Sequence, residues 1–94
     1  MVQVIVQHHV ADFDRWYPVF TEHAEVRRKY GATGHAIHRA ADDPNSVVIV
    51  NRFATLDGAR AFMSDPSLPE AMARGGVDSA PGVWLVSEAE TVKY

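Results

Sequence analysis

The stretch from Ser46 to Phe53, with Val47-Val48-Ile49-Val50 in an unbroken row, limits what this chain can become more than any other segment. Its β-branched content predicts a strand. Apolar residues on both of its faces predict a central one, covered on each side. Met1 to Val10 reads as another strand, because Val2, Val4, Val6, His8 and Val10 alternate with Gln3, Ile5, Gln7 and His9. Thr33 to Ala40 and Val83 to Ser87 complete the set, with turns expected at Asp42-Asp43-Pro44-Asn45 and at Pro81-Gly82.

Helical spacing fills the gaps. Asp12 has the character of an N-cap, and Phe13, Trp16, Phe20, His23, Arg27 and Tyr30 follow at steps of three and four. Pro18 is expected to end a short first turn, with the main helix starting near it. Arg27-Arg28-Lys29 complements the C-terminal dipole, and Gly31 suits the position after the helix. Thr55 is expected to cap a helix over Leu56 to Met63, which Asp65-Pro66 breaks. Ser67-Leu68-Pro69-Glu70 has the form of a capping box opening one more short helix, and Gly75-Gly76 ends it.

The order is therefore β-α-β-β-α(α)-β in one domain, residues 1–94, which suits a chain of this length. Strand–helix–strand crossovers are right-handed, so both crossover helices lie on one face of the sheet. The other face is expected to carry Ile5, Ile37, Val47, Ile49, Phe53 and Trp84. A second copy covering that apolar patch is the simplest arrangement.

Charge and composition narrow the function classes. The formal net charge is −3, and Arg27-Arg28-Lys29 is the one basic cluster, so phosphate-driven nucleic-acid binding is not expected. The absence of cysteine excludes disulfides, thiolate metal sites and cysteine nucleophiles. No apolar run approaches the roughly 20 residues of a membrane span, and the start lacks a signal-peptide pattern, so a cytoplasmic protein is expected.

The strand ending in His8-His9, the segment Ala11-Asp12-Phe13-Asp14-Arg15-Trp16, the stretch Asp65-Pro66-Ser67-Leu68-Pro69-Glu70-Ala71-Met72 and the closing strand with Trp84 together resemble the dimeric α+β barrel superfamily. The likeness spans nearly the whole chain and is nearest to its small antibiotic-biosynthesis-monooxygenase-like and "cyclase"-like proteins. It implies a ferredoxin-like βαββαβ domain with an antiparallel sheet, pairing with a second copy as a dimeric α+β barrel. Each subunit then holds a pocket between sheet and helices. Members of such a group include cofactor-independent oxygenases, cyclases, lactone isomerases, haem-degrading enzymes and proteins without known activity, so fold does not fix function. Haem-degrading relatives carry their haem-ligating histidine after the second helix. Met63 to Gly76 contains no histidine, so haem binding of that kind is not expected.

Five histidines stand out. Neighbours on a strand point to opposite faces, so His8 is placed toward the helices and His9 away from them. His23 lies on the core-facing stripe of the first helix. His8 and His23 are the candidate catalytic residues, since imidazole can take or give a proton near neutral pH. The alternative is that they are ordinary hydrogen-bonded or boundary histidines. Trp16, Phe20, Arg27, Phe62 and Trp84 are the candidate substrate-binding residues. The aromatics suit a flat ligand, and Arg27 suits a carboxylate or phenolate. Core packing and a snorkelling surface arginine are the alternatives for these. His35 and His38 face opposite ways and cannot chelate jointly, and no metal site or cofactor is expected.

Two functions fit. One is a cofactor-independent enzyme that abstracts an acidic proton from a small flat aromatic or polyketide-like substrate, leading to cyclisation, isomerisation or oxygenation. The other is a homodimeric module that binds a small ligand without turnover.

Overall fold

A computed structural model describes residues 1–94. The strand β1 (Val2–His9) leads into helices α1 (Phe13–Glu22) and α2 (Ala24–Lys29). A hairpin of β2 (Ala32–Ala40) and β3 (Asp43–Phe53) follows, then α3 (Leu56–Met63), α4 (Ser67–Arg74) and β4 (Gly82–Ser87). All strand pairs are antiparallel, in the order β2-β3-β1-β4. This is a ferredoxin-like α+β fold. No helix is long and apolar enough to cross a membrane.

Strand period two sorts the sheet into two unlike faces. Val4, Val6 and His8 on β1 align with Asn51, Ile49 and Val47 on β3, and all six side chains are buried. With Phe53 they meet Trp16, Ala59 and Phe62 from the helices in one core cluster. The opposite parity carries Ile5 beside Trp84, with Val48 and Val50. The sequence expectation for that open face is thus corrected at four of its six residues. Ile5 and Trp84 lie there, but Val47, Ile49 and Phe53 face the helices, as does Ile37, which pairs with Ile49. A continuous apolar run such as Val47–Val50 has no alternation from which its inward parity can be read.

Three further departures are local ones, at two helix ends and one strand turn. Asp12 accepts from the Asp14 N–H at 3.0 Å, as its position suggests, and the Asn45 side chain accepts from the Phe13 N–H. The break, however, falls at His23 and not at Pro18. Tyr17 and Pro18 are on the exposed side, where water can hydrate the carbonyl that a proline leaves unpaired. The Ser67–Glu70 capping box does not form. Pro66 holds the N-cap position, and Asp65 accepts both the N–H and the hydroxyl of Ser67. The β2–β3 turn is tighter than expected, with Ala40 paired to Asp43. Thr55 caps α3 through the Gly58 N–H at 3.0 Å.

Gly75 ends α4 where a side chain could not fit, since an added Cβ would lie 2.9 Å from Trp16. Gly76 continues at φ +78°, a conformation glycine adopts freely. The loop that follows is fastened to the sheet by His9. Its Nδ1 lies 2.6 Å from Asp78, its Nε2 lies 3.4 Å from Asp43, and its N–H donates to Ser79.

Candidate active site

Between the helix-facing side of the sheet and all four helices lies a narrow cleft of about 50 Å³. That is below the roughly 300–1,000 Å³ of small-molecule sites, so a ring-sized ligand enters only as adaptable lining side chains such as Met63 and Met72 move aside. Val6, Ile49, Phe62, Leu68 and Met72 give it apolar walls, and His8, His23, Arg27 and Asn51 are its polar members. No acidic side chain lines it.

His8 reaches the cleft because β1 parity points it inward. It is 2% exposed, and its ring meets the edge of Trp16 at 5.7 Å between centroids. Its Nδ1 has no hydrogen-bond partner. Asn51 is 3% exposed, and its side-chain oxygen is likewise without a partner. A buried polar atom left unpaired costs about 1–3 kcal/mol, so a water or a ligand group that enters the cleft gains by pairing with either one. The register places Asn51 across from Val4, four residues along β1 from His8. At roughly 3.3 Å per residue the two positions lie about 13 Å apart along the strand.

His23 sits at the junction of α1 and α2 and is 8% exposed. Its Nε2 lies 2.8 Å from the Ser67 hydroxyl oxygen. Ser67 has one hydrogen, and that hydrogen is committed to Asp65 at 2.5 Å. His23 must therefore donate from Nε2, which leaves its lone pair on Nδ1. Asp65 completes the chain. The Ser67 and Tyr30 hydroxyls hold its carboxyl down at about 2, and the same contact pushes the Tyr30 phenol up. Ser67 and Asp65 thus fix the tautomer of His23, as a carboxylate fixes a working imidazole elsewhere.

Both imidazoles are held neutral. Burial pushes the pKa of His8 down, and burial together with Arg27 does the same for His23. Burial, then Arg27, also lowers His35, whose ring meets Phe20 edge-on. On the other face, the hydrogen bond to Asp78 raises His9. These shifts give stability a definite pH profile. For His8, His23 and His35 the unfolded chain binds more protons between the lowered value and the usual 6.5, so stability falls as pH falls through that window. For His9 the sign reverses. Its contribution is complete below its unfolded value and is lost as pH rises through the raised one. Urea unfolding across pH 5 to 9 is expected to show a maximum near neutrality. His8→Phe should flatten the acid limb and His9→Gln the alkaline limb.

The structure brings together His8, His23, Trp16, Phe20, Arg27 and Phe62 around this cleft. Trp84 does not join them. It stands opposite Ile5 on the other face of the sheet, 53% exposed. Asn51 is the polar lining residue that sequence reasoning missed. Its signal was present, as a lone amide inside the apolar run from Val47 to Phe53.

No protein-family model matches the sequence. No curated protein matches it either. Solved structures do. SnoaB, a cofactor-independent oxygenase from Streptomyces nogalater, superposes with a TM-score of 0.78 at 23% identity, covering 99% of this chain and 97% of its own. An antibiotic biosynthesis monooxygenase gives 0.73 at 15% identity, with 96% of this chain and all of its own length covered. The ActVA-Orf6 monooxygenase of Streptomyces coelicolor, in complex with nanaomycin D, gives 0.70 at 14% identity, covering 99% and 91%. The chain shares the fold of these proteins along essentially its full length.

Proposed function

We propose that this protein is a cofactor-independent enzyme that takes a flat aromatic or polyketide-like molecule into the cleft and removes an acidic proton from it with a histidine. One observation carries the reading: two buried, neutral imidazoles, His8 and His23, open onto one apolar cleft that contains no acid. A neutral imidazole near pH 7 is a competent general base, worth roughly 10²–10⁴-fold in rate. His8 accepts the proton at one end of the cleft. His23, held by Ser67 with Nδ1 free, is the second base. The Asn51 oxygen takes a hydroxyl of the substrate at the far end. An apolar wall around the resulting carbanion or phenolate keeps water from returning the proton.

The fold shared with SnoaB and ActVA-Orf6 favours oxygenation over cyclisation or isomerisation. In that case the anion passes its electron pair to dioxygen in one-electron steps and forms a carbon–peroxide bond. The histidinium protonates the outer peroxide oxygen. The O–O bond breaks as the second hydrogen leaves the same carbon, giving a ketone and one water for each dioxygen consumed. Oxygen uptake with a fused-ring aryl ketone bearing an acidic methylene tests this. One dioxygen per ketone formed, without added metal or cofactor, is expected. Ring closure or isomerisation without oxygen uptake would move the activity to the cyclase class. Binding without any turnover would leave a ligand-binding module.

The working unit in this proposal is a homodimer. Ile5, Val48, Val50 and Trp84 form an apolar surface that the helices do not cover. Such a surface is costly to leave in water. Native mass spectrometry is expected to give twice the chain mass, and Trp84→Asp is expected to shift the population to monomer. A monomeric parent protein would refute the pairing.

A further inference from the structure

Arg27 is 4% exposed yet has no anionic partner. The ion pairs within the protein all involve His9. The Arg27 guanidinium lies over the Phe20 ring at 3.7 Å, and only its Nη1 has a protein acceptor, the Phe20 carbonyl at 2.8 Å. Its remaining donors are not sealed away from the surroundings, so they can turn to an anion that enters beside them. Arg27 also lines a second cleft, of about 320 Å³, shared with Arg28, Thr33 and His35. That cleft, too, contains no acidic residue. It opens at the Asn51 end of the first one, because His35 stands opposite Asn51 in the sheet.

We propose that the substrate is an aromatic acid, its ring system in the apolar cleft between His8 and Asn51 and its carboxylate in the polar cleft on Arg27. The planar fork of Arg27 matches a carboxylate with two parallel hydrogen bonds, and the stack on Phe20 presets its orientation. Arg28, at the exposed rim, adds positive charge along the way in. The lopsided field then has a use. The carboxylate end is drawn to the Arg27 side, so the carbon to be deprotonated lies at the His8 end.

This assignment rests on the aromatic-substrate reading above, and the test separates the two. Calorimetric titration of the intact protein with 2-naphthoate and with its neutral counterpart 2-naphthamide is the experiment. The acid should bind at least about tenfold tighter than the amide, since charge-assisted hydrogen bonds are roughly twice as strong as neutral ones. Arg27→Met should abolish that preference, so that acid and amide bind equally, with the melting temperature unchanged or raised. Arg27→Lys, which keeps the charge and loses the fork, should retain part of the preference. The comparison of acid with amide on the unaltered protein stands even if Arg27→Met fails to fold. Equal or tighter binding of the amide overturns the acid assignment and leaves the aromatic pocket intact. A preference that survives in Arg27→Met overturns the role of Arg27. Failure of both ligands to bind at millimolar concentration overturns the pocket reading and this one with it.

Discussion

Replacing His8 with phenylalanine is expected to lower turnover by roughly 10²–10⁴-fold, the usual worth of a positioned general base. The fold should survive the change. Phenylalanine fills a similar volume, keeps the edge contact with Trp16, and removes a buried Nδ1 that has no partner. Replacing a buried unsatisfied polar group by an apolar one of similar shape is close to neutral or stabilising. The melting temperature should therefore hold or rise while activity collapses. Loss of activity together with a fallen melting temperature would identify His8 as structural. His23→Gln should act in the same direction, and combining the two should cost less than the product of the single effects if both serve one proton. Steady-state rates and thermal melts on the same preparations check all of this.

The largest expected effect on stability is at Phe53. It is fully buried at the end of β3, and its ring centroid lies 5.4 Å from that of Phe62 on α3. Phe53→Ala removes a ring from the seam between sheet and helices, at a cost of about 3–5 kcal/mol. Small domains have only about 5–15 kcal/mol in total, so the variant should lose at least about 12 °C in melting temperature. Val83→Ala is the matched control. Val83 is 39% exposed on the outer strand, and a substitution there should stay within about 0.5 kcal/mol. A mild Phe53→Ala would mean that the helices are not anchored through this pair.

Element order was open to reading from the sequence, because β-branched runs and three-four spacing are strong local signals. The alternation in Val2–Val10 sufficed to send His8 inward and His9 outward. What local pattern could not supply was depth. Ser46–Phe53 is apolar on both parities, so its inward face emerged only from the pairing of Val47 with His8. The same lack hid Asn51 and placed Trp84 in the wrong company, since strand parity alone does not tell which face meets the helices. The Ser67–Asp65 support of His23 was also invisible, because its polar partners lie 44 residues apart in the chain. Proline misled for a different reason. Pro18 lies on the water-facing side of α1, where a missing hydrogen bond is cheap, and the chain breaks at His23 instead.

The central claim is that the cleft removes a proton, whatever follows. It is tested most directly without oxygen, by placing a fused-ring aryl ketone with the protein in deuterium oxide and following its acidic methylene by proton NMR. The unaltered protein is expected to speed loss of the methylene signal well above the buffer rate, and the His8→Phe, His23→Gln double variant to return it to that rate. Ligand-induced shifts at Trp16 without any faster exchange would contradict the account and leave a protein that binds its ligand and does nothing to it.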